Sequence, residues 1–117
     1  MSATASTLVR QWRDEPAPGR TYDEWPYPTT HTQYLITGEL AERVKRALGE
    51  SAEAAVFITE DTISTGYSEY TQETELQFTV ECGARTVTFD EYSAYSSYGA
   101  TTVARLSLWL DKAEGTA

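Results

Sequence analysis

The sequence predicts an α+β domain: a four-stranded antiparallel β-meander with one face covered by two helices, in the order α-β-β-β-β-α, preceded by a proline-rich N-terminal arm. Three observations predict it. In the stretch 74–92, Leu76, Phe78, Val80 and Cys82 alternate with Glu75, Gln77, Thr79 and Glu81, and a period of two marks a half-buried strand. Two other stretches, 38–48 and 102–113, repeat their apolar residues at the helical period. All 4 prolines fall before residue 29, where they break helices and keep the residues before them extended.

Residues 1–33 are expected to form an extended or partly disordered arm, with room for a short helix at Leu8–Arg13. Trp12, Trp25 and Tyr27 are large rings for a pure linker. Either the arm folds back and packs them on the domain, or Trp25-Pro26-Tyr27-Pro28 docks on a partner, because a proline-stiffened segment loses less entropy on binding. The domain proper is expected over 34–113, with a frayed tail at 114–117.

The first helix is placed at 38–48. Thr37 is positioned as its N-cap, and Leu40, Val44, Ala47 and Leu48 make one apolar stripe. Glu39 and Glu42 near its start, with Arg43, Lys45 and Arg46 toward its end, complement the helix dipole. Gly49 is the C-terminal stop. Ala54–Thr59 and Thr62–Tyr70 then read as two strands joined by a tight turn at Glu60-Asp61, which pairs Ile58 with Ile63. A loop at 71–74 pairs Tyr67 with Phe78 and Ile63 with Cys82. In the last hairpin, a two-residue turn at Gly83-Ala84 needs positive φ at its first position, which glycine adopts at little cost. That turn sets Cys82 opposite Arg85, Val80 opposite Val87 and Phe78 opposite Phe89. One sheet face becomes apolar, with Val56, Ile58, Ile63 and Tyr67 joining the hairpin residues. The other becomes wet, threonine-rich and acidic, carrying Phe57, Thr59, Thr62, Ser64, Glu75, Glu81, Asp90 and no Lys or Arg.

Residues 93–100 read as a loop, and Thr101 or Thr102 caps a helix over 102–113. Val103, Leu106, Trp109, Leu110 and Ala113 share one side of it, and Leu108 does not. Alternation of Ala104, Leu106, Leu108 and Leu110 also permits a strand there, and the two assignments stay open.

A chain of 117 residues suits one domain. Its net charge of −9, from 18 acidic and 9 basic residues, argues against direct binding to nucleic acid or an anionic membrane and permits a basic protein partner. The single cysteine, Cys82, rules out an intrachain disulfide and a thiolate zinc site, and its place on the apolar face predicts a buried thiol. The opening MSATASTLVRQW has no apolar leader-like run, and no stretch approaches the roughly 18 apolar residues of a membrane span, so the expected compartment is the cytoplasm.

No catalytic residue, metal ligand or cofactor is assigned. The one histidine, His31, lies among threonines in the arm, a poor place to build a nucleophilic triad. Glu75 and Asp90 on adjacent strands form a carboxylate pair, more simply read as solvated surface acids. Neither G-x-G-x-x-G nor a Walker motif occurs. Recognition is better supported. Residues 90–99 concentrate tyrosine and serine, a mixture that gives broad rigid contacts plus adaptable hydrogen bonding. The function expected is therefore a non-catalytic, acidic protein-binding domain acting as inhibitor, adaptor or regulator, with Tyr92, Tyr95, Tyr98, Trp25 and Tyr27 as contacts. An alternative is a nucleic-acid mimic that uses the acidic face at Glu75, Glu81 and Asp90 to block a DNA- or RNA-binding protein. A second alternative is a small-ligand carrier or a carboxylate-only enzyme.

Overall fold

The computed structural model describes residues 4–67, 72–90 and 101–114. Among them, the strands β1 (Ala5–Arg13), β2 (Thr30–Thr37), β3 (Val56–Tyr67), β4 (Gln72–Cys82) and β5 (Arg85–Asp90) form one antiparallel sheet in the order β1-β2-β3-β4-β5. Helix α1 (Glu39–Leu48) connects β2 to β3, and α2 (Thr102–Ala113) follows β5. The α+β class holds, with five described strands rather than four and the order β-β-α-β-β-β-α.

The expected helix at Leu8–Arg13 is instead part of β1. Its residues pair with β2 from Ala5↔Thr37 to Arg13↔Thr30, with a bulge between Leu8 and Arg10. The run Thr30–Thr37 is rich in β-branched residues, which suit a pleated surface, and once β2 forms on the sheet its free edge is a template for β1. The 4 prolines occur in the connection 14–29 between these strands.

The second correction concerns Glu60-Asp61, expected as a turn. They lie in the middle of β3, which runs straight through, pairing Ile58 with Val80, Glu60 with Phe78 and Thr62 with Leu76. An acidic pair lacks strand propensity, but β3 is flanked on both sides, and its backbone groups are satisfied by β2 and β4 together. Extending the strand shifts parity. Ile63, expected on the apolar face, points to the open face opposite Glu75, while Thr62 and Ser64 share the face of Val56 and Ile58. The expected pairs of Tyr67 with Phe78 and Ile63 with Cys82 are replaced by Tyr67↔Gln72 and Ile63↔Glu75.

The Gly83-Ala84 hairpin forms as expected, with Gly83 at φ 58 and the pairs Cys82↔Arg85, Val80↔Val87 and Phe78↔Phe89. Both helices lie on one face. Ile36, Val56, Ile58, Phe78, Val80, Cys82 and Phe89 from the sheet meet Leu40, Ala41 and Val44 from α1 and Leu106 and Leu110 from α2. Phe78 and Phe89 stack with centroids 5.1 Å apart, and Trp109 continues the stack over Phe89 at 5.1 Å. The Cys82 thiol is buried, and that burial pushes its pKa up. Ala41, missed by the stripe, is buried, and Ala47 is exposed. In α2, Leu106 and Leu110 point inward and Leu108 outward, as a helix requires and a strand would not.

Both helix ends of α1 are tied down. Gly49 closes it in the left-handed region at φ 68. At its start, the cap expected from Thr37 comes from Thr4, whose hydroxyl accepts a hydrogen bond from the Leu40 N–H at 3.0 Å. Two of the three basic residues of α1 are paired. Arg43 reaches Asp111 and Glu114 on the α2 side at 2.7 Å each, and Lys45 donates to Glu42 and to the Ala52 carbonyl. Among the described residues, no helix is long and apolar enough to cross a membrane.

Candidate functional site

The face of the sheet away from the helices is held together by a polar rung. Register places Trp12, His31, Asp61, Gln77 and Asp90 side by side across all five strands, and residues directly opposite in antiparallel pairs share a face. The His31 ring stacks on Trp12 with centroids 4.8 Å apart, and the Arg10 guanidinium lies 4.0 Å from the Trp12 centroid, a favourable cation–π distance. Nδ1 of His31 is 2.5 Å from Asp61 Oδ1, and Nε2 is 2.8 Å from Asp14 Oδ1.

This cluster was not visible in the sequence. Asp14 and Asp61 lie 17 and 30 residues from His31, so no local spacing links them. The available signal was the strand-like run Thr30–Thr37, which would have put His31 on a sheet instead of in an arm. Chemically, both ring nitrogens face carboxylates, so neither is turned toward an open position for a substrate or a metal ion. Among the described residues, no group of three or more His, Cys, Asp or Glu side chains is arranged to hold a metal ion.

The rung lies near the end of the sheet from which the connection 14–29 leaves. That connection is short of regular structure yet anchored: the Asp14 N–H donates to the Thr29 carbonyl at 3.0 Å, and Arg20 N–H to Ala17 at 2.9 Å. Arg13 lies over the Tyr22 ring at 5.1 Å, and the Arg20 guanidinium donates to the Trp25 carbonyl. Trp25, preceding a cis Pro26, is 46% exposed, and Tyr22 is exposed as well. Tyr27 is half-buried. Glu15, Asp23 and Glu24 in the same connection are exposed.

The antiparallel order brings to the same end the last residue of β3, Tyr67, the first of β4, Gln72, and the last of β5, Asp90. Glu73 is exposed there, and Glu75 and Asp90 are half-buried on the open face. Glu81, the third acidic candidate, sits at the other end of β4, exposed and opposite Thr86. The tyrosine candidates Tyr92, Tyr95 and Tyr98 lie outside the described residues. On the covered face, Glu60 has its carboxyl pushed up by burial, partly countered by the positive charge of Arg105. Between the helices, a shallow groove of about 280 Å³ is lined by Thr4, Glu39, Leu40, Arg43, Val103 and Ser107. It is small for a ligand cavity, and its cation, Arg43, is already paired.

Comparison with known proteins returns no relative. No family model matches the chain, and neither a curated protein nor a solved structure matches it significantly.

Proposed function

We propose that the chain is a non-catalytic protein-binding domain, acting as an inhibitor, adaptor or regulator, that presents the acidic, aromatic end of its sheet to a basic surface on another protein. The observation that carries this reading is the 14–29 connection. Large exposed rings, Trp25 and Tyr22, share with Glu15, Asp23 and Glu24 a segment anchored to the sheet. Aromatic anchors surrounded by charge are the composition of binding hot spots and their steering rims. Tyr92, Tyr95 and Tyr98, which follow β5 in the chain, are further contacts in this reading. The cytoplasm is the compartment that suits a single buried thiol kept reduced.

Imitation of a nucleic-acid backbone is the other acidic role. It calls for closely repeated charge, whereas β4 sets Gln77 and Thr79 between Glu75 and Glu81, about 20 Å apart at strand rise. Carboxylate chemistry or a carried small ligand has no comparable support in the geometry.

The test compares what the intact protein and its Trp25→Ala variant capture from extract of the native cell, eluted in salt steps. Trp25 is solvent-facing, so Trp25→Ala should leave unfolding within about 0.5 kcal/mol of the parent while the captured protein is lost or weakened. Equal capture by both forms overturns the reading. A partner that leaves at low salt and binds nucleic acid favours mimicry instead.

A further inference from the structure

The protons of His31 make its two contacts conditional. Ionised carboxylates only accept hydrogen bonds, and an imidazole donates from both nitrogens only when it carries its second proton. The geometry at Asp61 and Asp14, 2.5 and 2.8 Å from the two nitrogens, is therefore that of an imidazolium. The two partners differ in burial: the Asp61 side chain is 13% exposed and that of Asp14 54%. When one proton leaves, the remaining N–H stays with the more buried carboxylate, whose desolvated charge gains more from a donor. Nε2 then turns a lone pair toward Asp14, and attraction becomes repulsion.

Asp14 is the first residue after β1 and begins the connection that carries Tyr22 and Trp25. We propose that protonated His31 is a latch that fastens this connection to β3 through Asp14 and Asp61, so that raising the pH releases the connection and weakens partner binding through Trp25. The binding half of this inference rests on the proposed function; the latch itself does not.

The groups facing the ring are accounted for strand by strand. β1 supplies Arg10, which sits over Trp12. The connection supplies Asp14 and β3 supplies Asp61. In the same rung, Gln77 of β4 is neutral and Asp90 of β5 lies one strand further away. Burial opposes charge on the ring, but the hydrogen bonds to Asp61 and Asp14 and their negative charges outweigh it and hold the pKa above 6.5. The latch is thus fully closed below that value and opens as the pH rises through the folded-state pKa.

The experiment is NMR on the full chain, following the His31 ring and the exchange protection of amides in 15–28 from about pH 5 to about pH 9. In the parent, the ring should titrate above its ordinary value, and protection in 15–28 should fall several-fold across the transition. His31→Gln should show low protection at every pH. Asp14→Asn, a change at a half-exposed side chain that preserves the fold, should lower the His31 midpoint. Protection that stays level through the titration, or a midpoint unmoved by Asp14→Asn, overturns the latch. Partner affinity is then read in parallel. If protection falls but affinity is level with pH, the latch stands and the connection is not the contact.

Discussion

Thr4 shows how a single side chain can be misassigned by proximity in sequence. Thr37 precedes α1, but the N-cap residue is Gly38 and carries no side chain; the hydroxyl that accepts the Leu40 N–H belongs to Thr4, 36 residues away. Thr4→Ala is expected to cost about 1 kcal/mol, the usual value of a lost cap, and Thr37→Ala almost nothing, both measured by urea unfolding. His31 makes a different residue-scale prediction. Because its folded-state pKa is raised, the parent should lose stability relative to His31→Gln as the pH climbs above 6.5, and the difference should be constant below it. Melting curves of the two proteins across pH would show this, and parallel curves throughout would exclude a titrating His31.

At the scale of elements, α2 decides its own identity by what it buries. Leu106 is 0% exposed and Leu108 40%, two positions that a strand would place on one face. Leu106→Ala is expected to cost roughly 2–5 kcal/mol, as large-to-small core changes do, and Leu108→Ala less than about 0.5 kcal/mol. Similar costs at the two sites in chemical denaturation would argue for the strand. Thr101 reinforces the helix by accepting a hydrogen bond from the Ala104 N–H at 3.1 Å. β3 teaches the opposite lesson. Its local composition at Glu60-Asp61 favours a turn, yet pairing on both sides keeps the chain extended. Asp61 then meets His31 on the open face, and Glu60 comes under the field of Arg105 on the other.

For the whole molecule, charge is mixed at each end: Asp14, Glu15, Asp23 and Glu24 share the 14–29 connection with Arg20, and Glu39 and Glu42 share α1 with Arg43, Lys45 and Arg46. The described residues extend 49 Å along their longest axis, several Debye lengths at 0.1 M salt, about 10 Å each. Asp23 and Glu24 are exposed beside Trp25 in the chain, and their charge acts on a partner over about one such length. Replacing Asp23 and Glu24 together by Asn and Gln should slow partner association and flatten its salt dependence, with dissociation changed less. Stopped-flow or surface-binding kinetics at two ionic strengths would measure it; an unchanged association rate would move the contact elsewhere.

The α+β class, α1 and the 76–89 hairpin were legible from residues alone, because each rests on a local period or on a turn that glycine makes inexpensive, whereas the period of 102–113 fitted a helix and a strand alike. The acidity of the chain and the aromatic character of Trp25 and Tyr27 were equally plain. Tertiary structure decided the rest: that residues 5–13 and 30–33 of the expected arm join the sheet as β1 and the start of β2, that β3 is one strand, that 102–113 is a helix, and that Trp12, His31, Asp14 and Asp61 meet. Those outcomes depend on backbone pairing between strands and on contacts across 17 to 36 residues. Pairing with neighbours on both sides outweighs the small intrinsic preferences of an acidic dipeptide, and no periodicity records which distant carboxylates will flank a ring.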